Sequence, residues 1–298
     1  MSEKKVLITE VGPRDGFQNI ANFIPTEDKI KIVNMLTDAG VNSIEVSSFV
    51  HPKWIPQLRD AAEVFAKINK KAGGSYRILI PNEKGLDRAI EAGVKEVQWV
   101  CSCSDSSNKE NLNMTIDESL AMLSQAAKKA KEHGIVISGA VANALGCPWE
   151  GMMPIEKVNR VINAYRSFEI NNKVIIADSI GMSGPEQVKT LFTELHKTFP
   201  DMSFAVHLHD ILGIGTANAY AAYEAGVGEF ESSISGLGGC PYTVHPGGNL
   251  ATENLVNMFN KMDIETGIDL DKLLEASNHV KSVVGEDHAK QEGHPEDA

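Results

Sequence analysis

Two histidines in the run Ser203–Asp210, His207 and His209, have the spacing in this chain that bears most directly on chemistry. In an extended strand, residues two apart project from one face, so both imidazoles can reach a single ion. Asp15, in Val11-Gly-Pro-Arg-Asp-Gly16, offers a carboxylate to complete such a group. Imidazole and carboxylate ligands without a thiolate pair suit Mg²⁺ or Mn²⁺ with positions open for a substrate, and leave Zn²⁺ possible. Arg14, next to Asp15 and flanked by Gly-Pro and Gly, is suited to stabilising negative charge that develops on a carbonyl oxygen. Cys240 stands in Ser235-Gly-Leu-Gly-Gly-Cys-Pro-Tyr242, with His245-Pro-Gly-Gly-Asn-Leu-Ala-Thr-Glu253 following. Its glycines allow a closing loop, and a thiol brought near a metal and a cation exchanges protons near neutral pH. Glu45 and Asp178 stand in strand-like runs, where each either orients neighbouring ligands, the preferred reading, or satisfies buried backbone groups, whereas Cys147 is expected to pack.

These residues need a scaffold that brings distant strand ends together. Short β-branched runs alternate with stretches of helical period, the signature of βα units and a parallel sheet. Eight strands are expected, at Val6–Glu10, Ser43–Ser48, Tyr76–Pro81, Glu96–Ser102, Val136–Asn143, Lys173–Ser179, Ser203–Asp210 and Glu229–Gly236. Amphipathic stretches lie between them at Thr26–Ala39, Pro56–Lys71, Glu83–Ala92, Ile116–His133, Ile155–Phe168, Pro185–Phe199 and Thr216–Ala225, with a further helix near Leu250–Lys261. Several helices end in one phrase, as in Asp38-Ala-Gly-Val41, Glu91-Ala-Gly-Val94 and Glu224-Ala-Gly-Val227, where glycine takes the left-handed conformation and the next residue starts a buried strand. That recurrence favours a single (β/α)8 TIM barrel, over about residues 5–262, with a C-terminal helical extension over about 263–298. In such a barrel the polar residues at the C-terminal strand ends carry the chemistry. The runner-up, a doubly wound sheet, would have a Gly-rich phosphate loop where this chain has Val11–Gly16.

The chain has 298 residues and a net charge of −12, which argues against nucleic-acid binding. Four cysteines, no apolar run of membrane-spanning length and an N-terminus without a signal-peptide core lead to the expectation of a cytoplasmic, disulfide-free protein with no membrane partner. Cys101 and Cys103 do not have zinc-pair spacing.

The motifs Val11–Asn19, Ile44–Val50 with Pro52-Lys-Trp54, Ala144–Pro148, Asp178–Gly181, His207–Asp210 and Ser235–Tyr242 resemble those of the 3-hydroxy-3-methylglutaryl-CoA lyase family, nearly end to end. The resemblance implies a TIM barrel in which Asp15, His207, His209 and Asn249 ligate a divalent cation. It implies that Arg14 contacts the thioester carbonyl and that Cys240 is a catalytic thiol. Glu45, Asp178 and Glu253 would belong to the active-site network, with Gln18 and Glu253 near substrate. The implied partner is an acyl-CoA thioester, the reaction a retro-Claisen cleavage, the setting leucine degradation and ketone body metabolism, and the assembly a homodimer or higher homo-oligomer. One departure bears on substrate: where the family has tyrosine after the glycine of strand 5, this chain has Ala140, which opens the pocket. Citramalyl-CoA or 3-hydroxy-3-isohexenylglutaryl-CoA are the alternative substrates. An aldol-type synthase of the isopropylmalate or homocitrate kind is a further rival, and a non-catalytic metal-binding protein would leave Arg14 and Cys240 unexplained. Lys53, Lys84 and Lys109 are read as solvated lysines rather than a coenzyme A motif.

Overall fold

A computed structural model describes residues 5–171, 173–239 and 248–285. Its eight strands are β1 (Leu7–Glu10), β2 (Ser43–Ser48), β3 (Ser75–Leu79), β4 (Glu96–Ser102), β5 (Val136–Ala142), β6 (Val174–Asp178), β7 (Phe204–Leu208) and β8 (Glu229–Ser232). Each pairs in parallel with the next and β8 returns to β1, closing the barrel. Closure abolishes sheet edges and gives every strand an inner and an outer face. The outer face packs against α1 (Thr26–Asp38), α2 (Ala61–Lys67), α3 (Glu83–Glu91), α5 (Ile116–Glu132), α6 (Ile155–Ser167), α7 (Pro185–Thr198) and α8 (Gly215–Glu224), with α4 (Asp105–Leu112) in the connection after β4 and α9 (Thr252–Lys261) and α10 (Leu270–Val284) following α8. The helix-ending glycines behave as the repeated phrase requires: Gly40, Gly93 and Gly226 all have positive φ, between 69° and 98°.

Inside the barrel, Val100, Ala140, Ile175 and Ala205 form a small apolar cluster separate from the main core. Above it the inner face turns polar, and the register aligns Ala177 with His207 and His207 with Glu231.

Several boundaries differ from the sequence expectation. The expected Pro56–Lys71 helix is a short 3₁₀ turn at Pro56–Leu58 followed by α2 alone. Asp60 cannot cap it, because its carboxylate accepts Thr26 Oγ1 at 2.9 Å and Lys29 Nζ at 2.7 Å. Beyond α2 the chain is captured by Asn34, whose Oδ1 accepts the Asn69 amide at 2.7 Å. Strand β8 stops at Ser232 rather than Gly236, since Ser235 has φ 58°. The unexpected α4 starts at Ser104, whose side chain accepts the Ser107 amide.

Candidate active site

Asp15 lies in a tight π-helical turn, Gly12–Gly16, which follows β1 at its C-terminal end. His207 is in β7 and His209 just beyond it, with ring centroids 5.2 Å apart. One ligand atom from each of Asp15, His207 and His209 lies within 4.8 Å of the others, and all three residues are buried. Asn249 joins them through an isolated antiparallel bridge to His209. Its amide nitrogen donates to Asp15 Oδ2 at 2.6 Å and to Leu237 O at 2.9 Å, while its buried Oδ1 has no hydrogen-bond partner among the described residues. A buried amide oxygen left over beside a carboxylate and two imidazoles is a ready fourth donor, and this set of hard oxygens and imidazole nitrogens fits a divalent cation. Burial by itself would raise the Asp15 pKa, but the Arg14 guanidinium and the two imidazoles hold it below the ordinary carboxylate value.

Arg14 is fixed from two sides. Its Nη1 donates to Asp15 Oδ1 at 2.6 Å, and its Nε and Nη2 lie 3.0 and 2.9 Å from Glu45 Oε2. Gln18 Nε2 donates to the same Asp15 Oδ1 at 2.8 Å. The structure therefore brings Arg14, Asp15, Gln18, Glu45, His207, His209 and Asn249 together.

Three buried charged residues escaped the sequence reading. Glu231 in β8 places Oε2 3.1 Å from His207 Nδ1, and Arg77 in β3 donates through Nη2 to Glu231 Oε1. Burial opposes ionisation of Glu231, yet Arg77 and His207 hold its pKa down at about 2. Glu10, at the end of β1, accepts the Gly12 and Ile234 amides at 2.7 and 2.8 Å and the Thr252 hydroxyl at 2.6 Å. The only sequence signal for any of these was a charge inside a β-branched run.

Two further expected members hold loop backbone. Ala177, not Asp178, aligns with His207, so Asp178 projects from the opposite face. Its carboxylate accepts the Gly181 and Ser183 amides at 3.0 and 3.2 Å and the Ser183 hydroxyl, holding the loop after β6. Glu253, in the first turn of α9, accepts the Ser235 amide at 3.1 Å and so braces the left-handed residue that begins the glycine-rich run. Cys240 lies outside the described residues, but the chain on either side of 240–247 is at the site. Asn19 Nδ2 donates to Gly239 O at 2.9 Å, and Gly238, at φ 110°, leaves room for nothing larger: an added Cβ would stand 2.3 Å from Asn249 Nδ2. Cys101, Cys103 and Cys147 are buried free thiols. Cys103 donates to the Ala142 and Asn143 carbonyls, and Cys147 Sγ is 3.0 Å from Ser104 Oγ, as packing residues.

A family profile described as HMGL-like matches residues 5–280. The chain is 42% identical over 282 residues to the Bacillus subtilis hydroxymethylglutaryl-CoA lyase YngG, covering 95% of this chain and 94% of that one. It is 44% identical over 273 residues to the mitochondrial hydroxymethylglutaryl-CoA lyase of Bos taurus, covering 92% and 84%. Among solved structures, an HMG-CoA lyase from Acinetobacter baumannii in complex with coenzyme A and 3-methylmalate superposes with a TM-score of 0.89 at 38% identity, over 94% of this chain and 92% of that one.

Proposed function

This chain belongs to the HMGL-like family, and from that premise and the geometry of the site we propose that it is a hydroxymethylglutaryl-CoA lyase, which cleaves 3-hydroxy-3-methylglutaryl-CoA to acetyl-CoA and acetoacetate. The observation that carries this reading is the convergence of Asp15, His207, His209 and Asn249 Oδ1, which has no partner among the described residues, at the barrel mouth, with Arg14 bonded to the same Asp15.

Those four donors are proposed to hold Mg²⁺ or Mn²⁺, with Zn²⁺ the alternative. When bound, the cation would act as a Lewis acid that lowers the pKa of the tertiary hydroxyl. The residues of the chain do the rest. A carboxylate or imidazole of the site takes the tertiary hydroxyl proton, and the O–H bonding pair becomes the second bond of the ketone C=O of acetoacetate. The C2–C3 bond breaks, and its electron pair passes to C2 as the enolate of acetyl-CoA. Arg14, already fixed by Glu45 and Asp15, presents its remaining N–H groups to the thioester oxygen where this charge accumulates. Cys240 is proposed to return a proton to C2; its support is its sequence position, two residues after Gly238, which packs on Asp15 and Asn249. Gln18 and Glu253 are proposed to border the substrate, Gln18 beside Asp15 and Glu253 through the segment it braces. Asp178 is proposed to act at one remove, by holding the loop after β6.

The test is product identification with the purified full chain, Mg²⁺ or Mn²⁺, and a panel of 3-hydroxyacyl-CoA thioesters. Acetyl-CoA with acetoacetate supports the reading, and cleavage of no panel member overturns it. One observation favours a broader substrate range: Ala140 sits in the small apolar cluster with Val100, Ile175 and Ala205 inside the barrel, a floor without a bulky polar group. The panel therefore includes citramalyl-CoA, which would give pyruvate with acetyl-CoA, and 3-hydroxy-3-isohexenylglutaryl-CoA. A cytoplasmic homodimer or higher homo-oligomer is also proposed; the free thiols at Cys101, Cys103 and Cys147 support a reducing compartment, and light scattering of the purified chain tests the assembly. No helix among the described residues is long and apolar enough to cross a membrane.

A further inference from the structure

We propose that Arg77 and Glu231 are a buried positioning pair for His207: Glu231 fixes the imidazole with its proton on Nδ1, leaving Nε2 for the cation site, and Arg77 fixes Glu231. This rests on the reading of Asp15, His207 and His209 as a cation site.

The geometry is that of a relay across the barrel. His207 aligns with Glu231 on the neighbouring strand β8, and the imidazole Nδ1 lies 3.1 Å from Glu231 Oε2. A carboxylate is acceptor only, so Nδ1 carries a hydrogen, and in the neutral ring Nε2 then keeps its lone pair. The other carboxylate oxygen, Oε1, accepts from Arg77 Nη2, which reaches it from β3 with β1 and β2 intervening in the sheet. Arg77 and Glu231 are 1% and 3% exposed, so neither charge has appreciable contact with water.

The energetics explain why this is not read as a simple stability device. Desolvating two charges costs several kcal/mol per ion, and their attraction repays that only when the remaining donors are satisfied. Here Arg77 Nε and Nη1 have no partner among the described residues, so the guanidinium is committed to Glu231 without the bonds that would make its burial profitable. Two apolar side chains of similar volume would hold the barrel as well or better. What they could not do is set which imidazole nitrogen is protonated and where the ring points. A hydrogen-bonded carboxylate behind a ligating histidine does both, and its loss typically costs about 10–100-fold in metal affinity.

The experiment uses the full chain with Mn²⁺ as probe and three variants, Glu231→Gln, Arg77→Met and the double variant. Thermal unfolding reports burial energetics, Mn²⁺ titration followed by electron paramagnetic resonance reports the site, and ¹⁵N imidazole shifts of the metal-free protein report the His207 tautomer. Each single variant leaves one buried charge unpaired and is expected to lower the melting temperature. The double variant removes both charges and is expected to recover most of that loss, yet to bind Mn²⁺ about 10–100-fold more weakly than the parent and to lose the pure Nδ1–H tautomer. Recovery of melting temperature, Mn²⁺ affinity and tautomer together in the double variant overturns the proposal, since the pair would then be structural only. Unchanged Mn²⁺ affinity in Glu231→Gln with a folded protein overturns it as well. A parent chain that binds Mn²⁺ but cleaves no thioester refutes the lyase reading and leaves this comparison intact. A parent that binds no Mn²⁺ removes the cation site, and the proposal with it.

Discussion

Glu10 makes a quantitative test of how this barrel end is held. Its carboxyl is fully buried at the end of β1 and takes three donors, the amides of Gly12 and Ile234 and the hydroxyl of Thr252. Those bonds favour the carboxylate, but burial outweighs them and raises the pKa from 4.5 to about 7, with Glu253 nearby adding in the same direction. A carboxyl whose folded pKa lies above its unfolded value retains a proton in the fold that the unfolded chain has already released. Its contribution to stability is therefore fully present below pH 4.5 and is lost as pH rises to about 7. At about 1.4 kcal/mol per unit, the interval amounts to ~3 kcal/mol, a large part of the net stability of a domain. Glu10→Gln keeps the shape and an acceptor for the two amides but cannot ionise. The measurement is urea unfolding of both proteins at closely spaced pH values from 4.5 to 8. Subtraction cancels every other titrating group, and the parent-minus-variant difference is expected to fall by ~3 kcal/mol across that window and then level. A difference that stays constant with pH, or one that grows, would show that Glu10 is ionised throughout and that the burial argument is wrong.

Gly238→Ala is expected to weaken Mn²⁺ binding and activity together, because the new Cβ meets Asn249 Nδ2 at 2.3 Å and the backbone is at φ 110°; a metal titration beside turnover checks it, and parental values in both would contradict the close packing. Arg14→Gln is expected to reduce kcat by about 10²–10³-fold with Mn²⁺ affinity changed far less, measured by steady-state kinetics and titration. Cys240→Ser is expected to lose most turnover while keeping its metal. In that variant the three remaining thiols, Cys101, Cys103 and Cys147, are all buried, and burial pushes the Cys101 pKa up to about 11, so a thiol reagent should find none until the protein is unfolded.

Legibility tracked how local each signal was. The barrel could be read because several βα units repeat one punctuation, and Gly40, Gly93 and Gly226 needed no knowledge of their neighbours to be placed at helix ends. His207 and His209 could be read because a spacing of two fixes a common face whatever the strand packs against. Asp178 shows the limit of that logic: it lies in a strand as expected, but one step out of phase with His207, so its carboxylate serves the loop amides of Gly181 and Ser183. Glu231 and Arg77 were illegible for a different reason. A single charge in a strand reads as a solvent-facing position until closure turns that face inward, and their pairing spans 154 residues. The Pro56–Lys71 helix failed likewise, on contacts from α1 that no local pattern contains.

The same burial that hid these residues bears on how a chain of net charge −12 would take the proposed anionic thioester. Its overall field does not attract such a ligand, so recognition must rest on charges held at short range. Arg14 meets that need because of what its partners leave unused. A guanidinium has five N–H donors in a fixed plane. Glu45 engages Nε and Nη2, and Asp15 engages Nη1, so two carboxylates on adjacent edges set the plane while one hydrogen remains on each terminal nitrogen. Both carboxylates raise the Arg14 pKa against the effect of burial, so the group stays charged without water around it. Glu45 is fully buried and anchored on β2, and Asp15 is anchored in turn by Gln18 and Asn249. The two N–H groups without a partner among the described residues are thus fixed in direction before any substrate arrives, and an oxyanion forming in front of them needs no rearrangement of the guanidinium to be stabilised.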